Sequence, residues 1–226
     1  MNYKFKDYVG VFLISGGKNS ILSLDMYYLQ FINRIGIIVE IENSTVTDED
    51  YIKYLQRKYN MIIMKVNFHK TSYENFLLNL ENSTNQLSLL SNPIYAGLSE
   101  IRKLLLTLQI NKYKIIIGSN KTYPLTLKEN SIMINPLSKL TEEEVIEECK
   151  KRELELISTY SQGFEKHDCF PDILWGHINP TKLKEKVNLL KKNFPDRYKY
   201  WSSWEKENNK PFFITKKKGY QWIHKL

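Results

Sequence analysis

The residues best suited to carry chemistry form one short run: Ser15, Gly16, Gly17, Lys18, Asn19 and Ser20. Backbone N–H groups that a glycine turn leaves free, together with the positive end of a helix, make an anion site of phosphate size. Lys18 would add a mobile positive charge to such a site, and Ser15 and Ser20 would add hydroxyl donors. The run therefore predicts a phosphate-binding loop, with Lys18 and Ser20 as its catalytic candidates.

The spacing of this run excludes two common phosphate motifs. The nucleoside-triphosphatase loop needs Gly, four spacer residues and then Gly-Lys-Ser/Thr, and the dinucleotide fingerprint needs three spaced glycines. What favours phosphate binding is the position of residues 15–20, after an apolar stretch at residues 8–14 and before helically spaced apolar residues. In doubly wound folds, ligands bind where strands end and helices begin.

Alternating strands and helices must position this loop. Apolar runs predict strands at residues 8–14, 36–41, 61–66, 113–118 and 132–135. Helical spacing predicts helices from residue 19 onward and at residues 48–59, 72–90, 97–108, 141–152, 181–192 and 196–208. The alternation predicts an α/β fold, with a doubly wound, mainly parallel five-stranded sheet followed by a helical region. Residues 1–158 would form the nucleotide-binding domain, and residues 159–226 a substrate- or partner-binding region.

Composition narrows the class of protein. The 226 residues fit one compact domain or a domain with a small appendage, and no apolar run approaches the roughly 20 residues that span a bilayer. The N-terminus lacks the features of a signal peptide, so we expect a cytoplasmic protein. Two cysteines, Cys149 and Cys169, are too few for a disulfide framework or a four-thiolate zinc site.

Charge is distributed unevenly along the chain. Residues 1–165 are neutral overall, whereas residues 166–226 carry 14 basic and 6 acidic side chains, which accounts for the whole net charge of +8. The same region holds all four tryptophans: Trp175, Trp201, Trp204 and Trp222. Cations mixed with aromatic faces indicate a nucleic-acid or acidic protein partner. The alternative is a solvated lysine surface that serves solubility.

The loop resembles that of the PP-loop ATP pyrophosphatases, or adenine nucleotide alpha-hydrolase-like proteins, which usually reads Ser-Gly-Gly-x-Asp-Ser. Residues 134–137 (INPL), followed by residues 140–145 (LTEEEV), are similar to a segment of the phosphoadenosine phosphosulfate (PAPS) reductase branch. Pro195, Tyr200, Trp204 and Glu205 also resemble that branch's C-terminal helices. The resemblance implies a HUP-like fold, ATP and Mg²⁺ as cofactors, and adenylation of an acceptor with release of pyrophosphate.

The chain departs from the family pattern at several positions. Asn19 replaces the loop aspartate, which removes a carboxylate that could help to hold Mg²⁺. Where the family has Gly-x-Arg after the fourth strand, this chain has Gly118 and then Lys121, which would supply the cation without the bidentate fork of arginine. The Cys-Gly-Leu-His tail of sulfonucleotide reductases is absent. The sequence therefore does not predict a true PAPS reductase.

Two further residues are candidates with an alternative each. Glu40 lies near the end of the second strand, where relatives in that family place an acidic or polar turn near the nucleotide, so the resemblance implies a carboxylate that could accept a hydrogen bond from a ribose hydroxyl or an adenine amino group. The alternative is a hydrophilic loop, with Thr47 as the N-cap of the next helix. Cys169 follows His167 and the segment Thr159-Tyr160-Ser161, a placement similar to that in deazaguanine synthases. It could accept activated sulfur or attack an adenylate, or it could be an incidental thiol.

Two functional hypotheses follow. The first is an ATP-dependent adenylating enzyme in which Ser15, Gly16, Gly17, Lys18, Asn19, Ser20, Glu40, Gly118 and Lys121 bind the nucleotide. Its acceptor would receive sulfur or nitrogen in nucleotide or nucleic-acid modification. The second is a nucleotide-binding or partner-binding module that keeps the fold without the chemistry, which the substitution at Asn19 favours.

Overall fold

The structure is a computed structural model of the chain. It describes residues 3–43, 47–68, 93–121, 132–164, 180–214 and 220–226. No helix within these residues is long and apolar enough to cross a membrane.

A five-stranded sheet forms the centre of the molecule, and all of its strand pairs are parallel. Its strands in chain order are β1 (Val9–Leu13), β2 (Asn33–Ile41), β3 (Ile62–Phe68), β4 (Tyr113–Ile116) and β5 (Met133–Ile134). In space they lie in the order β3-β2-β1-β4-β5. The strands added after β3 therefore lie on the other side of β1, which makes the gap between β1 and β4 the point where the winding reverses. Ligands bind at such reversal points in open α/β sheets.

Helices pack on both faces of this sheet. They are α1 (Lys18–Tyr27), α2 (Glu49–Tyr59), α3 (Pro93–Thr107) and α4 (Glu142–Lys151). Phe12 of β1 packs in one apolar cluster with residues of α1 and α2, whereas Val11 and Leu13 pack in a second cluster with Ile101 and Leu105 of α3. Because β1 is buried on both faces, its sequence is continuously apolar and does not alternate. The predicted doubly wound, parallel fold is thus confirmed.

Two helix starts show how local sequence sets the element boundaries. A capping box is present at α4, where Thr141 accepts from the backbone N–H of Glu144 and the Glu144 carboxylate accepts from that of Thr141. At α2 the predicted N-cap Thr47 is wrong. Asp48 caps that helix instead, because its carboxylate accepts a 3.0 Å hydrogen bond from the N–H of Tyr51.

The C-terminal region forms a second small unit. It contains α5 (Pro180–Asn193), α6 (Pro195–Asn208) and an antiparallel pair of short strands, β6 (Phe213–Ile214) and β7 (Tyr220–Gln221). Its core is aromatic and includes Trp201 and Phe212, and it also includes Ile41 from the end of β2. The indole Nε1 of Trp201 donates a 2.9 Å hydrogen bond to the carbonyl of Asn43. The unit is thereby attached at the carboxyl end of β2.

Element boundaries differ from the sequence predictions by a few residues. The fourth strand ends at Ile116 and not at Gly118, and β2 begins three residues earlier than predicted. The pairing of β6 with β7 was not predicted. The helix predicted at residues 72–90 lies outside the described residues.

Candidate functional site

The loop between β1 and α1 has the conformation that its glycines permit. Gly16 has a φ of +87°, in the left-handed region that favours glycine, and an added Cβ would lie 3.1 Å from Ile157. Gly17 is the N-cap of α1 and is extended, with φ −73° and ψ 155°. The first turn of α1 carries no acidic residue, so no side chain of that turn opposes the attraction of the helix N-terminus for an anion.

The two loop serines have different roles. Ser20 is buried, accepts a 3.2 Å hydrogen bond from the N–H of Ser15, and donates a 2.9 Å bond to the carbonyl of Gly17. Ser15 is exposed, and its hydroxyl accepts a 3.2 Å bond from the N–H of Gly17. The two hydroxyl oxygens are 3.2 Å apart. Ser20 therefore fixes the shape of the loop, while Ser15 presents its hydroxyl to solvent.

The mobile charge predicted for Lys18 is wrong, because this side chain is fixed. Lys18 is 7% exposed, and its ammonium lies 2.8 Å from Oε1 of Glu142 at the start of α4. The ammonium also lies 5.6 Å from the ring centre of Tyr160. The packing of α1 against α4 brings the two charges together. The cation of the loop is thus present, but an internal carboxylate neutralises it.

Polar side chains from three loops continue this network. Asn120, after β4, is 1% exposed and donates from Nδ2 to the second carboxylate oxygen of Glu142. The side-chain oxygen of Asn135, after β5, accepts 3.2 and 3.3 Å bonds from the N–H groups of Ser119 and Leu137. The segments that follow β1, β4 and β5 are therefore tied together at the reversal point of the sheet.

Tyr160 closes the loop from the other side. Its hydroxyl accepts a 3.1 Å hydrogen bond from the backbone N–H of Lys18, the first residue of α1. That N–H is one of the donors that have no partner within the helix. An oxygen atom of the protein therefore already accepts a hydrogen bond that the start of a helix can offer to an anion.

Gly118 and Lys121 were both predicted to contact the nucleotide, and the structure shows different surroundings for each. A Cβ at Gly118 would lie 2.5 Å from the backbone oxygen of Asn19, so glycine is needed there for α1 to pack against the end of β4. The side chain of Lys121 is exposed, and its N–H donates a 2.7 Å bond to the carbonyl of Leu140.

Asn19 has an unusual environment for a polar residue. Its Oδ1 is buried and has no hydrogen-bond partner among the described residues. Such an atom costs free energy unless a hydrogen-bond donor or a ligand approaches it.

Within the part of the chain that the structure describes, no group of three or more His, Cys, Asp or Glu side chains could hold a metal ion.

Glu40 lies near the carboxyl end of β2, and its side chain is engaged by its neighbours. Its carboxylate is 3.2 Å from the ammonium of Lys65 on β3, and Lys65 also contacts Glu49. The hydrogen bond to Glu49, with that to Glu40, raises the pKa of Lys65.

Between the loop and the start of α2 lies a cavity of about 10 Å³, lined in part by Ser15, Gly16 and Asp48. That volume is about enough for one water molecule.

The two cysteines differ in what the structure shows. Cys149 is buried between α4 and α1, where its Sγ lies 3.8 Å from the carbonyl of Lys18. Burial raises its pKa to about 11, so it stays a neutral thiol at physiological pH, which fits a role in packing. The catalytic candidate Cys169, with His167, lies outside the described residues.

The basic C-terminal region does not present all of its tryptophans to solvent. Trp201 and Trp204 are 1% and 6% exposed and form the core of the unit, so the expectation that they offer faces to a partner is wrong. Burying their large apolar area holds the unit together. Trp222 is partly exposed, with the ammonium of Lys225 4.6 Å from its ring centre. Trp175 lies outside the described residues.

Sequence reasoning did not identify three of the residues that surround the loop. Glu142, Asn120 and Tyr160 contact Lys18 or each other through side chains that come from distant parts of the chain. A burial pattern could have indicated Asn120, because it follows a strand whose end is fully buried. No local spacing pairs Glu142 with Lys18, because their contact depends on helix packing.

No protein-family model and no curated protein matches the sequence. Among solved structures, the chain is similar to the U34-tRNA thiolase NcsA of Methanococcus maripaludis, with 19% identity, 92% of this chain and 74% of that chain covered, and a TM-score of 0.44. It is also similar to the NMN synthetase of Francisella tularensis, with 16% identity, coverage of 85% and 87%, and a TM-score of 0.46. A third similar structure is the PAPS reductase of Candida auris, with 12% identity, coverage of 69% and 78%, and a TM-score of 0.44.

Proposed function

We propose that the chain binds ATP through residues 15–20 and adenylates an acceptor with release of pyrophosphate. The observation that carries this proposal is the place of the loop in the fold. A glycine turn with Gly16 at positive φ leads from the central strand into the N-terminus of α1, at the reversal point of a parallel sheet. Phosphate groups bind at such helix starts because N–H groups and the helix dipole converge there.

The residues of the loop fit a polyphosphate. The N–H groups of Gly16 and Gly17 and the exposed hydroxyl of Ser15 would contact phosphate oxygens, and Lys18 would balance negative charge. The hydrogen bonds that now join hydroxyl groups to the N–H groups of Gly17 and Lys18 can be exchanged for bonds to phosphate. Mg²⁺, bound with the nucleotide, would neutralise part of its charge. The buried side-chain oxygen of Asn19, an acceptor with no partner among the described residues, would be a neutral ligand for that ion.

The reaction would be a displacement at the α-phosphorus. An oxygen of the acceptor forms a bond to this phosphorus while the bond to the bridging oxygen of the β-phosphate breaks, and pyrophosphate leaves with that electron pair. Positioning and charge stabilisation would supply most of the rate, since the protein itself forms no bond in this step. A nitrogen or sulfur nucleophile would then displace AMP from the acceptor. Cys169 is our proposed sulfur carrier for that second step.

A nucleic acid is our proposed acceptor, and the C-terminal unit its docking surface. The described residues from 180 onward include ten basic and four acidic side chains, and one of the acidic ones, Glu205, is fully buried. Lys192 and Lys199 are exposed on α5 and α6. The unit is attached at the carboxyl end of β2, the same edge of the sheet that carries the loop. A polyanion bound there could therefore reach the phosphate site.

A second candidate function is a nucleotide-binding module without catalysis. The ion pair between Lys18 and Glu142 favours it, because the only charge that the loop contributes is already neutralised. The neutral side chain of Asn19 favours it too. In this case the chain would bind a nucleotide weakly and would release no pyrophosphate.

Calorimetric titration with ATP, and separately with PAPS, each with and without Mg²⁺, tests the proposal when combined with an assay for pyrophosphate. ATP binding with pyrophosphate release in the presence of the acceptor supports the adenylating enzyme. Binding without release under all acceptors tried favours the module, and Asn19→Asp should then restore release if a lost carboxylate is the cause. Absence of binding to both nucleotides would show that residues 15–20 are not a phosphate site.

Retention on nucleic acid tests the docking surface. Lys192→Glu combined with Lys199→Glu should abolish retention at low salt, because each phosphate contact contributes through counterion release. Lys112→Glu combined with Lys150→Glu is the matched control, with the same charge change on exposed residues of the sheet domain. Equal loss in both pairs would mean that net charge alone drives binding.

A further inference from the structure

The cation of the phosphate loop is already matched by a carboxylate of the same chain. The ammonium of Lys18 lies 2.8 Å from Oε1 of Glu142, and the two side chains are only 9% and 15% exposed. Solvent screens a largely buried ion pair of this kind far less than an ion pair on the surface. Lys18 therefore attracts an incoming anion much less than a free lysine would.

The carboxylate of Glu142 is held in place by a second partner. Asn120, which is 1% exposed, donates from Nδ2 to the other oxygen of the same carboxylate. Both oxygens of Glu142 are thus hydrogen-bonded, one to the cation and one to the amide. The pair is a built feature of the site and not a chance encounter of two flexible side chains.

The backbone of the loop shows the same kind of internal substitution. The hydroxyl of Tyr160 accepts a hydrogen bond from the backbone N–H of Lys18. The start of a helix can offer this N–H to a phosphate. A carboxylate oxygen and a hydroxyl oxygen together satisfy the ammonium and an N–H of the same residue. Two oxygen atoms of the protein therefore already bind the ammonium and the N–H of Lys18, the same groups that a phosphate would use.

We propose that Glu142 is the internal counter-ion of Lys18 and sets the affinity of the loop for phosphate. This inference rests on the proposed function, since it assumes that residues 15–20 bind phosphate. An entering phosphate must displace the carboxylate from Lys18, so small inorganic anions bind poorly. A nucleotide compensates through the contacts of its other groups. Glu142 thus acts as an affinity- and specificity-determining residue, and Asn120 as the residue that positions it.

Calorimetric titration with pyrophosphate and with inorganic phosphate, both without divalent metal, tests this role. Glu142→Gln should tighten pyrophosphate binding by about tenfold, which corresponds to roughly 1.4 kcal/mol. Glu143→Gln is the matched control, because it removes the same charge from the adjacent, exposed position of α4. We expect it to change the affinity by less than about twofold, as general surface electrostatics would.

Glu142→Asp provides a second variant in case the loss of the charge disturbs folding. It keeps the carboxylate but shortens its reach to Lys18, so it should tighten pyrophosphate binding less than Glu142→Gln does. Unchanged or weaker binding in folded Glu142→Gln, with wild type binding pyrophosphate or ATP, would overturn the counter-ion role alone. Failure of the wild type and both variants to bind pyrophosphate or ATP would overturn the phosphate site itself, and this inference with it.

Discussion

The molecule holds two glutamates in opposite ways: the partly buried Glu142 lies beside residues 15–20, and the fully buried Glu205 lies in the C-terminal unit. Glu142 is 15% exposed at its side chain and faces a cation, an amide and the edge of the proposed site. Glu205 is completely buried and accepts from the backbone N–H groups of Phe212, Ile223 and His224 at 2.7, 2.7 and 3.1 Å. The ring Nδ1 of His224 lies 2.8 Å from the same carboxylate.

The difference indicates which of the two carboxylates another anion can replace and which it cannot. The partners of Glu142 are side chains, so another anion can take its place at Lys18. The partners of Glu205 are mainly backbone N–H groups of the C-terminal segment, which the carboxylate joins to α6. A ligand cannot replace it without unfolding that segment. We therefore expect Glu205 to control stability and Glu142 to control binding.

The largest expected effect is on Glu205. Glu205→Gln replaces a charged acceptor by an amide whose NH₂ group would face backbone N–H groups. Each hydrogen bond to a charged acceptor that is lost costs about 1.5–3 kcal/mol, and three backbone N–H groups are affected. Urea denaturation should show this loss, and Glu142→Gln should cost less. Glu207→Gln, an exposed change on the same helix, should stay within about 0.5 kcal/mol of wild type. A small effect at Glu205 would remove the contrast between the two carboxylates.

The next largest effect concerns the packing of α1 against the segment that follows β4. Gly118→Ala places a Cβ 2.5 Å from a backbone oxygen of α1, which cannot move without shifting the helix start. We expect a loss of about 2–3 kcal/mol, at the upper end for overpacking, with loss of nucleotide binding. Gly36→Ala is the comparison variant, since its Cβ would meet only side-chain atoms, those of Ile14, Met61 and Ile63 at 2.6, 2.7 and 2.9 Å, which can shift more easily than backbone. Equal stabilities of the two variants by thermal denaturation would contradict this account.

A third effect separates strain from binding. Gly16→Ala and Gly163→Ala both place alanine at a positive φ, +87° and +92°, which costs about 1–2 kcal/mol in each case. Only Gly16 lies in the phosphate loop. Calorimetry should show that Gly16→Ala weakens ATP binding by about tenfold or more, whereas Gly163→Ala binds as wild type does. Parallel losses of affinity would indicate a general destabilisation.

The smallest effect is the pH dependence of Cys149. Burial raises its pKa from 9.0 to about 11 in the folded protein, so the folded state holds the thiol proton more tightly than the unfolded chain does. The resulting stability is complete below about pH 9 and is lost as the pH rises through 11. Between these values wild type should lose more stability than Cys149→Ala does, as measured by urea denaturation. Identical slopes would show that the thiol does not titrate in this way.

The sheet could be predicted from the sequence because its central strands are buried on both faces and read as continuous apolar runs. The capping box of Thr141 and Glu144 was equally readable, since it depends on a spacing of three residues. The loop of residues 15–20 could also be predicted, because its residues are consecutive in the sequence.

What the sequence did not reveal depends on packing between distant segments. Lys18 looks like a free cation until α4 brings Glu142 to it. Trp201, Trp204 and Glu205 follow a helical spacing of three and four residues, which is typical of a buried helix face. The basic residues around them are equally typical of an exposed binding surface, so the sequence did not show which of the two they form. The two-residue strands β6 and β7 are too short to leave a pattern.

The central claim is that residues 15–20 bind the phosphates of ATP. The most direct measurement is to follow the backbone amide signals of Gly16 and Gly17 by NMR while ATP is added, with Gly163 as an internal reference. The account predicts large, saturable shifts at Gly16 and Gly17, small shifts at Gly163, and much smaller effects when adenosine replaces ATP. Unchanged Gly16 and Gly17 signals at saturating ATP would contradict it.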